Sequence, residues 1–178
     1  MSRPAGFWRR FAAVVIDTLL FLPFTIPLAR LTAHDRTLTV AYQVLSLPLI
    51  QSYSILCHAR GGQTVGKWLL RARVVSLDGG PLTLLQSVLR SSVDAGFSLL
   101  GVCLNLALAF SVSESEFAAG FKHSQIYEAK PGLGVATAFL GLLAILWFGG
   151  SLLSLLTSER KRMLHDLLAE TEVIVVKD

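Results

Sequence analysis

The stretch Leu133–Thr157 reads LGVATAFLGLLAILWFGGSLLSLLT and carries no charged residue. At 1.5 Å per residue, a helix of about 20 residues crosses the roughly 30 Å hydrocarbon core of a bilayer. This segment is therefore long enough and apolar enough to span a membrane. Three more apolar runs of similar length, each with two charges or fewer, occupy residues 11–31, 38–57 and 93–112. The sequence predicts an all-α integral membrane protein with four transmembrane helices.

The composition supports a membrane protein. Of the 178 residues, 53% are hydrophobic and 16% are charged, whereas soluble domains have about 45–50% apolar and about 25% charged residues. The apolar excess excludes a disordered chain. Two cysteines are too few for a disulfide framework. We therefore treat the chain as a single membrane domain, residues 1–178.

The basic residues give the predicted helices an orientation. Most of the 16 lysines and arginines lie before the first run, in the loop 58–92 or in the tail 158–178, and four lie around the loops 32–37 and 113–131. The positive-inside rule places both termini and the loop 58–92 in the cytoplasm, as expected for a multi-pass protein of the bacterial inner membrane. Because these charges flank the runs, they favour anionic lipid headgroups as partners and argue against nucleic acid.

The segments outside the runs predict a small cytoplasmic β-ribbon. Arg71–Leu77 and Thr171–Val176 are rich in β-branched residues, and we expect these two strands to pair. Residues 78–81 read DGGP, which is a turn signal. The apolar spacing of Leu82–Leu89 predicts a short helix for which Thr83 is the N-cap.

Prolines interrupt two of the predicted spans. Pro23 and Pro27 lie four residues apart in the first run, and Pro48 lies midway along the second. Proline removes a backbone donor and strains a helix. We therefore expect a kink or break near residues 22–27.

A glycine-rich segment, GGQTVGK at residues 61–67, contains the G-x-x-x-x-G-K part of a phosphate-binding loop. Trp68 stands where that loop needs Ser or Thr, and a membrane span precedes the segment instead of a strand. The segment is better interpreted as a turn at the membrane surface, in which Lys67 faces headgroups or a carboxylate. His165 and Asp166 are adjacent and would point about 100° apart on a helix, and we predict no metal or cofactor.

Arg10 and Asp17 lie seven residues apart in the first run, which on a helix brings them within about 20° of one face and about 10.5 Å apart along the axis. An aspartate at that depth costs about 2.5–3.5 kcal/mol on insertion scales. Two interpretations of Asp17 stay open: a group that exchanges a proton or cation, and a hydrogen-bond anchor for a neighbouring helix or re-entrant loop. Arg90 and Asp94 have the spacing of a local helix-end pair.

Three stretches together resemble the RDD family of bacterial membrane proteins. They are AGFWRRFAAVVID at residues 5–17, GQTVGK at 62–67 with the following Arg73-Val74-Val75, and LHDLLAETEV at 164–173. The resemblance covers roughly residues 5–92 and 160–176. It implies that Arg10 is the arginine of the family name and that Asp17 and Asp166 are its two aspartates. It also implies a supporting cytoplasmic segment with Gly62, Thr64, Gly66, Lys67 and Arg90.

The resemblance implies a role in transport, since cation or proton exchange is suggested for some members. In the first hypothesis, Asp17 exchanges a proton or small cation, and Arg10 and Asp166 meet at the cytoplasmic mouth. In the second, the chain is a non-transporting scaffold or accessory subunit whose Arg and Asp residues are fold-locking pairs. Either function suggests a homo-oligomer or a membrane-protein partner. An enzyme is not expected, because no nucleophile, base and oxyanion constellation is present in the sequence.

Overall fold

A computed structural model describes residues 3–120 and 127–176 of the chain. Its four long helices are α1 (Phe7–Thr32), α2 (Arg36–Gly61), α4 (Leu84–Ala109) and α6 (Pro131–Thr157). Each is long and apolar enough to cross a membrane. The shorter elements are α3 (Val65–Leu69), β1 (Ala72–Ser76), α5 (Glu114–Ala118), α7 (Leu164–Leu168) and β2 (Thr171–Val175). Lys122 and Lys177, two of the basic residues of the loop and tail, lie outside the described residues.

The long helices bury few of their side chains within the chain itself. Large apolar residues along these helices are exposed, such as Phe24 at 71% and Leu49 at 70% of their maximal exposure. Apolar patches of this extent are rare on soluble monomers. The helices therefore have the surface of a protein that is solvated by lipid.

The described chain divides into two compact units. The first contains residues up to Leu22, then Ile50–Val93, then residues from Trp147 onward, and the second contains Pro23–Leu49 and Asp94–Leu146. The boundary in α1 falls at Pro23, yet α1 continues through both of its prolines. Of the two predicted alternatives near residues 22–27, the break is wrong, and the kink stays a prediction. Membrane helices tolerate proline because neighbouring groups and local adjustments satisfy the carbonyl that loses its donor.

The third span begins earlier than predicted. The expected short helix 82–89 and the run 93–112 form one helix, α4, which begins at Leu84 and ends at Ala109. Thr83 caps it as predicted: its Oγ1 accepts from the Gln86 N–H at 3.1 Å, and Gln86 Oε1 accepts from the Thr83 N–H at 3.0 Å. This reciprocal pair is a capping box. No turn residues separate the amphipathic first turns from the apolar run, so the helix is uninterrupted.

The predicted β-ribbon is confirmed. β1 and β2 pair antiparallel, with Ala72 opposite Val175 and Ser76 opposite Thr171. A lone two-stranded ribbon is marginal in water. Here one face packs into a small core whose members are nearly or fully inaccessible: Ala5, Ala72, Val74, Leu82 and Val173.

Both outer edges of the ribbon are also bonded to other parts of the chain. On the β2 side, the Ala5 N–H donates to the Val173 carbonyl at 2.7 Å, and the Val175 N–H donates to the Arg3 carbonyl at 2.8 Å. On the β1 side, the Val74 N–H donates to the Gly62 carbonyl at 2.7 Å. The ribbon is therefore enclosed by the chain segments before α1 and after α2.

Gly62 offers a test of this close approach. Gly62 has φ +68°, and a Cβ there would lie 2.3 Å from the Val74 carbonyl oxygen. Gly79 has φ +83°, and nothing lies within 4 Å of its Cβ position. Both Gly→Ala changes meet left-handed strain, but Gly62→Ala also forces the ribbon edge apart. We expect Gly62→Ala to lower the free energy of unfolding in detergent micelles by about 1–3 kcal/mol more than Gly79→Ala. Equal losses would contradict the enclosed edge.

Candidate functional site

The first unit contains the charged residues that the sequence singled out. Arg10 and Asp17 lie on α1, Asp166 on α7 and Arg90 on α4. Arg10, Arg90 and Asp166 are buried, and Asp17 is partly buried. Arg10 and Asp17 both bind groups of the first unit, but each has its own set of partners.

Asp166 is the centre of the first set. It is fully inaccessible, and its carboxylate forms ion pairs with Arg10 Nη1 and Arg90 Nη1. Its Oδ2 also accepts from the Met163 N–H at 2.9 Å, which closes the first turn of α7. One carboxylate therefore joins α1, α4 and α7. The sequence-based hypothesis had Arg10 and Asp166 meeting, and the structure brings them together.

The remaining donors of Arg10 bind backbone carbonyls. Arg10 Nε donates to the Ala5 carbonyl at 3.0 Å, and Nη2 donates to the Lys161 carbonyl. Lys161 lies just before α7 and has φ +51°. Arg10 therefore holds two segments of the chain: the segment before α1 and the segment that leads from α6 to α7.

Arg90 connects the same carboxylate to β2. Its Nη1 donates to Thr171 Oγ1 at 2.9 Å, and its Nη2 lies 3.0 Å from His165 Nε2. Thr171 is fully inaccessible and is the first residue of β2. The sequence indicated the local spacing of Arg90 with Asp94 and a supporting role by resemblance, but it gave no signal for these partners 75 to 81 positions away.

The electrostatics of α7 follow from these contacts. Burial alone would raise the pKa of Asp166, but the Arg90 and Arg10 guanidinium groups hold it well below its usual range. Burial, together with the charge of Arg90, lowers the pKa of His165 to about 3. His165 is therefore neutral at pH 7, and its Nε2 accepts a hydrogen bond from Arg90.

Asp17 is the centre of the second set. Its Oδ2 accepts from Thr64 Oγ1 at 2.6 Å, and its Oδ1 accepts from the Gly66 N–H at 2.8 Å and from the Tyr53 hydroxyl at 3.2 Å. Thr64 is the N-cap of α3, so the carboxylate holds the start of this short helix. A Cβ at Gly66 would lie 2.1 Å from the Ala13 carbonyl oxygen, so only glycine fits against α1 here.

Lys67 lies beside both sets and has a partner that the sequence did not predict. That partner is not a carboxylate, and the other alternative, that Lys67 faces headgroups, stays a prediction. It is partly buried, and its Nζ lies 2.5 Å from His58 Nε2. The reason is that Asp17 fixes the start of α3, which turns the next residues toward α2. Burial and the charge of Arg90 lower the pKa of Lys67 to about 7. The sequence provided no signal for this pairing, because His58 and Lys67 belong to different helices.

The rest of the described chain contains a cavity and shows no group of metal ligands. Within residues 3–120 and 127–176, no three His, Cys, Asp or Glu side chains are grouped as a metal centre requires. The second unit contains a cavity of about 350 Å³, whose lining includes Tyr42, Gln43 and Asn105. None of the residues predicted as a site lines this cavity.

Comparison with known proteins gives one match. A family model described as the RDD family matches residues 4–170, which is nearly the whole chain. The match includes residues 95–158, which lie outside the three stretches that carry the resemblance in sequence. No curated protein and no solved structure matches the chain.

The ion-pair cluster of Arg10, Arg90 and Asp166 predicts that a single substitution of Asp166 lowers the stability of the fold strongly. Asp166→Asn removes the negative charge between two buried guanidinium groups, and breaking a buried pair in this way costs about 3–5 kcal/mol. Glu114→Gln is the matched control, since the Glu114 side chain is 73% exposed and pairs with Arg36 at 2.9 Å. We expect a loss of at most about 1 kcal/mol for the control. Unfolding in mixed detergent micelles measures both, and similar losses would contradict the role of Asp166.

The cluster also predicts an acid limit to stability. The pKa of Asp166 is lower in the folded state than the value of about 3.9 for an unfolded aspartate. Its ion pairs therefore stabilise the fold fully above about pH 5, and that stabilisation is lost progressively as the pH falls below about 4. Asp166→Asn should flatten this acid-side decline, as measured by unfolding between pH 3 and pH 6. A decline identical to wild type would show that other groups cause it.

Proposed function

The chain belongs to the RDD family, and from that premise we propose that it is a membrane scaffold or accessory subunit that does not itself transport. In this function, Arg10, Asp17 and Asp166 lock a ribbon module to the ends of the helices. The ribbon module consists of residues 62–83 and 158–176, and it contains α3, α7 and both strands. Four helices embed the protein, and the module provides a folded surface outside the bilayer.

The hydrogen bonding of Asp17 carries this proposal. Both of its oxygens accept, from Thr64, Gly66 and Tyr53. A carboxylate that exchanges a cation needs oxygens that are open to that cation. Asp17 would have to release α3 before it could bind one. The observed contacts instead match the anchor interpretation, in which Asp17 holds a loop.

The location of the protein is part of the proposal. The excess of lysine and arginine around the ribbon module supports an orientation with this module and both termini in the cytoplasm. Anionic headgroups of a bacterial inner membrane would then lie next to the basic residues of the module. The apolar helix faces would contact lipid and either a second copy of the chain or another membrane protein.

Asp17→Asn tests the anchor role. An asparagine keeps one acceptor, but it turns a donor toward Thr64 or Gly66, so we expect a loss of about 1–3 kcal/mol in the free energy of unfolding. Asp35→Asn is the matched control. Asp35 Oδ1 accepts from the Leu38 N–H at the start of α2, and asparagine caps a helix about as well as aspartate. The control should unfold as wild type does.

A flux measurement distinguishes the scaffold from a transporter. Wild-type protein in proteoliposomes with a pH gradient should show no proton or sodium flux above protein-free vesicles. Suppose instead that wild-type vesicles show flux, and that Asp17→Asn abolishes it while keeping the wild-type unfolding midpoint. The proposal would then be wrong, and the movement of protons or small cations through Asp17 would be the function.

A further inference from the structure

The first unit also contains a polar contact between Lys67 and His58, which are not the arginine and aspartates of the family name. Lys67 Nζ and His58 Nε2 are in hydrogen-bond contact. His58 is 4% exposed, and its Nδ1 lies 3.4 Å from Ser54 Oγ. Among the residues that the structure describes, no carboxylate lies within ion-pair distance of Lys67. Two basic nitrogens therefore face each other, and one N–H···N hydrogen bond from Lys67 to His58 satisfies both.

The charged and titratable groups around Lys67 come from four helices. They are Arg10 and Asp17 on α1, His58 on α2, Arg90 on α4, and His165 and Asp166 on α7. The two guanidinium groups and the two carboxylates balance each other. His165 Nε2 faces an Arg90 donor and His58 Nε2 faces Lys67, so each ring uses this nitrogen as an acceptor. A proton on Lys67 is therefore the surplus charge of the cluster.

We propose that Lys67 and His58 form a proton-binding site whose occupancy sets how firmly the segment 62–67 is held against α1 and α2. With the proton bound, the cluster carries one uncompensated positive charge in a poorly solvated place. With the proton released, the cluster is neutral and the Lys67 amine still bonds to His58. The segment is held more firmly in the second state. This site does not depend on whether the protein is a scaffold or a transporter.

The pKa of Lys67 gives the site its working range. Burial and nearby cations lower it to about 7 in the folded protein, whereas an unfolded lysine has a pKa of about 10.4. Between these values the unfolded chain holds more protons than the folded one, so folding becomes more favourable as the pH rises. One proton changes the unfolding equilibrium constant by up to about tenfold per pH unit.

The test compares unfolding in mixed detergent micelles at pH 7 and pH 9. We expect the unfolding constant of wild type, taken relative to that of Lys67→Met, to fall by more than about tenfold over this range. Lys130→Met is the matched control, because Lys130 is exposed and its Nζ donates to the Ser111 carbonyl. The control should keep the wild-type pH dependence. Lys67→Arg retains a charge that cannot be released, so it should lose that dependence as Lys67→Met does.

A direct titration keeps the test independent of the variants. In wild-type protein with ¹⁵N-labelled lysine side chains, one Nζ resonance should titrate with a midpoint near 7, and it should be missing from Lys67→Arg. A midpoint near 10 for every lysine would overturn the proposal. So would equal pH dependence of unfolding in wild type and Lys67→Arg. Neither readout involves ion flux or Asp17, so failure here leaves the proposed scaffold function unaffected.

Discussion

The inaccessible carboxylate of Asp166 is the constraint on which the first unit depends. A carboxylate withdrawn from water is costly unless it is both paired and hydrogen-bonded. Asp166 meets this condition only when both Arg10 on α1 and Arg90 on α4 form ion pairs with it. Rotating α1 by one residue would turn Arg10 about 100° away. These ion pairs therefore fix the rotation of two membrane helices and the position of α7. Because β2 follows α7 directly, its position is fixed as well.

The carboxylates of Asp166 and Asp17 are both removed from bulk water, but different kinds of partner stabilise them. Asp166 is balanced by two full positive charges, whereas Asp17 is satisfied by a hydroxyl, a phenol and a backbone N–H. The first arrangement resists any change of charge. In the second arrangement, the partners of Asp17 carry no charge, and the carboxylate fixes a turn whose backbone contacts α1 at Gly66. Lys67 follows directly after this turn, so its position beside His58 is a consequence of the bonds that Asp17 makes.

The sequence predicts those features that depend on local pattern. Long apolar runs identify four helices, β-branched segments identify both strands, and Thr83 is recognisable as a cap because it stands at the start of a helical apolar pattern. The sequence predicts the short helix 82–89 and the apolar run 93–112 as separate segments because the first turns of α4 are amphipathic and only the later ones are continuously apolar. The partners of Arg90, Asp17 and Lys67 were not predictable in the same way. They lie on distant segments, and the Gly66 donor is a backbone N–H, a group that nearly every residue carries.

The closed edges of the ribbon limit how this protein can meet others. An exposed strand normally offers a row of free N–H and C=O groups to which another chain can add a strand. Here β2 is bonded along its outer side by residues 3–5, and β1 is bonded by Gly62. A partner cannot extend this sheet without first displacing part of the protein itself. A partner of this protein would therefore have to be recognised by side chains on the faces of the ribbon module or on the long helices, where shape and charge decide specificity.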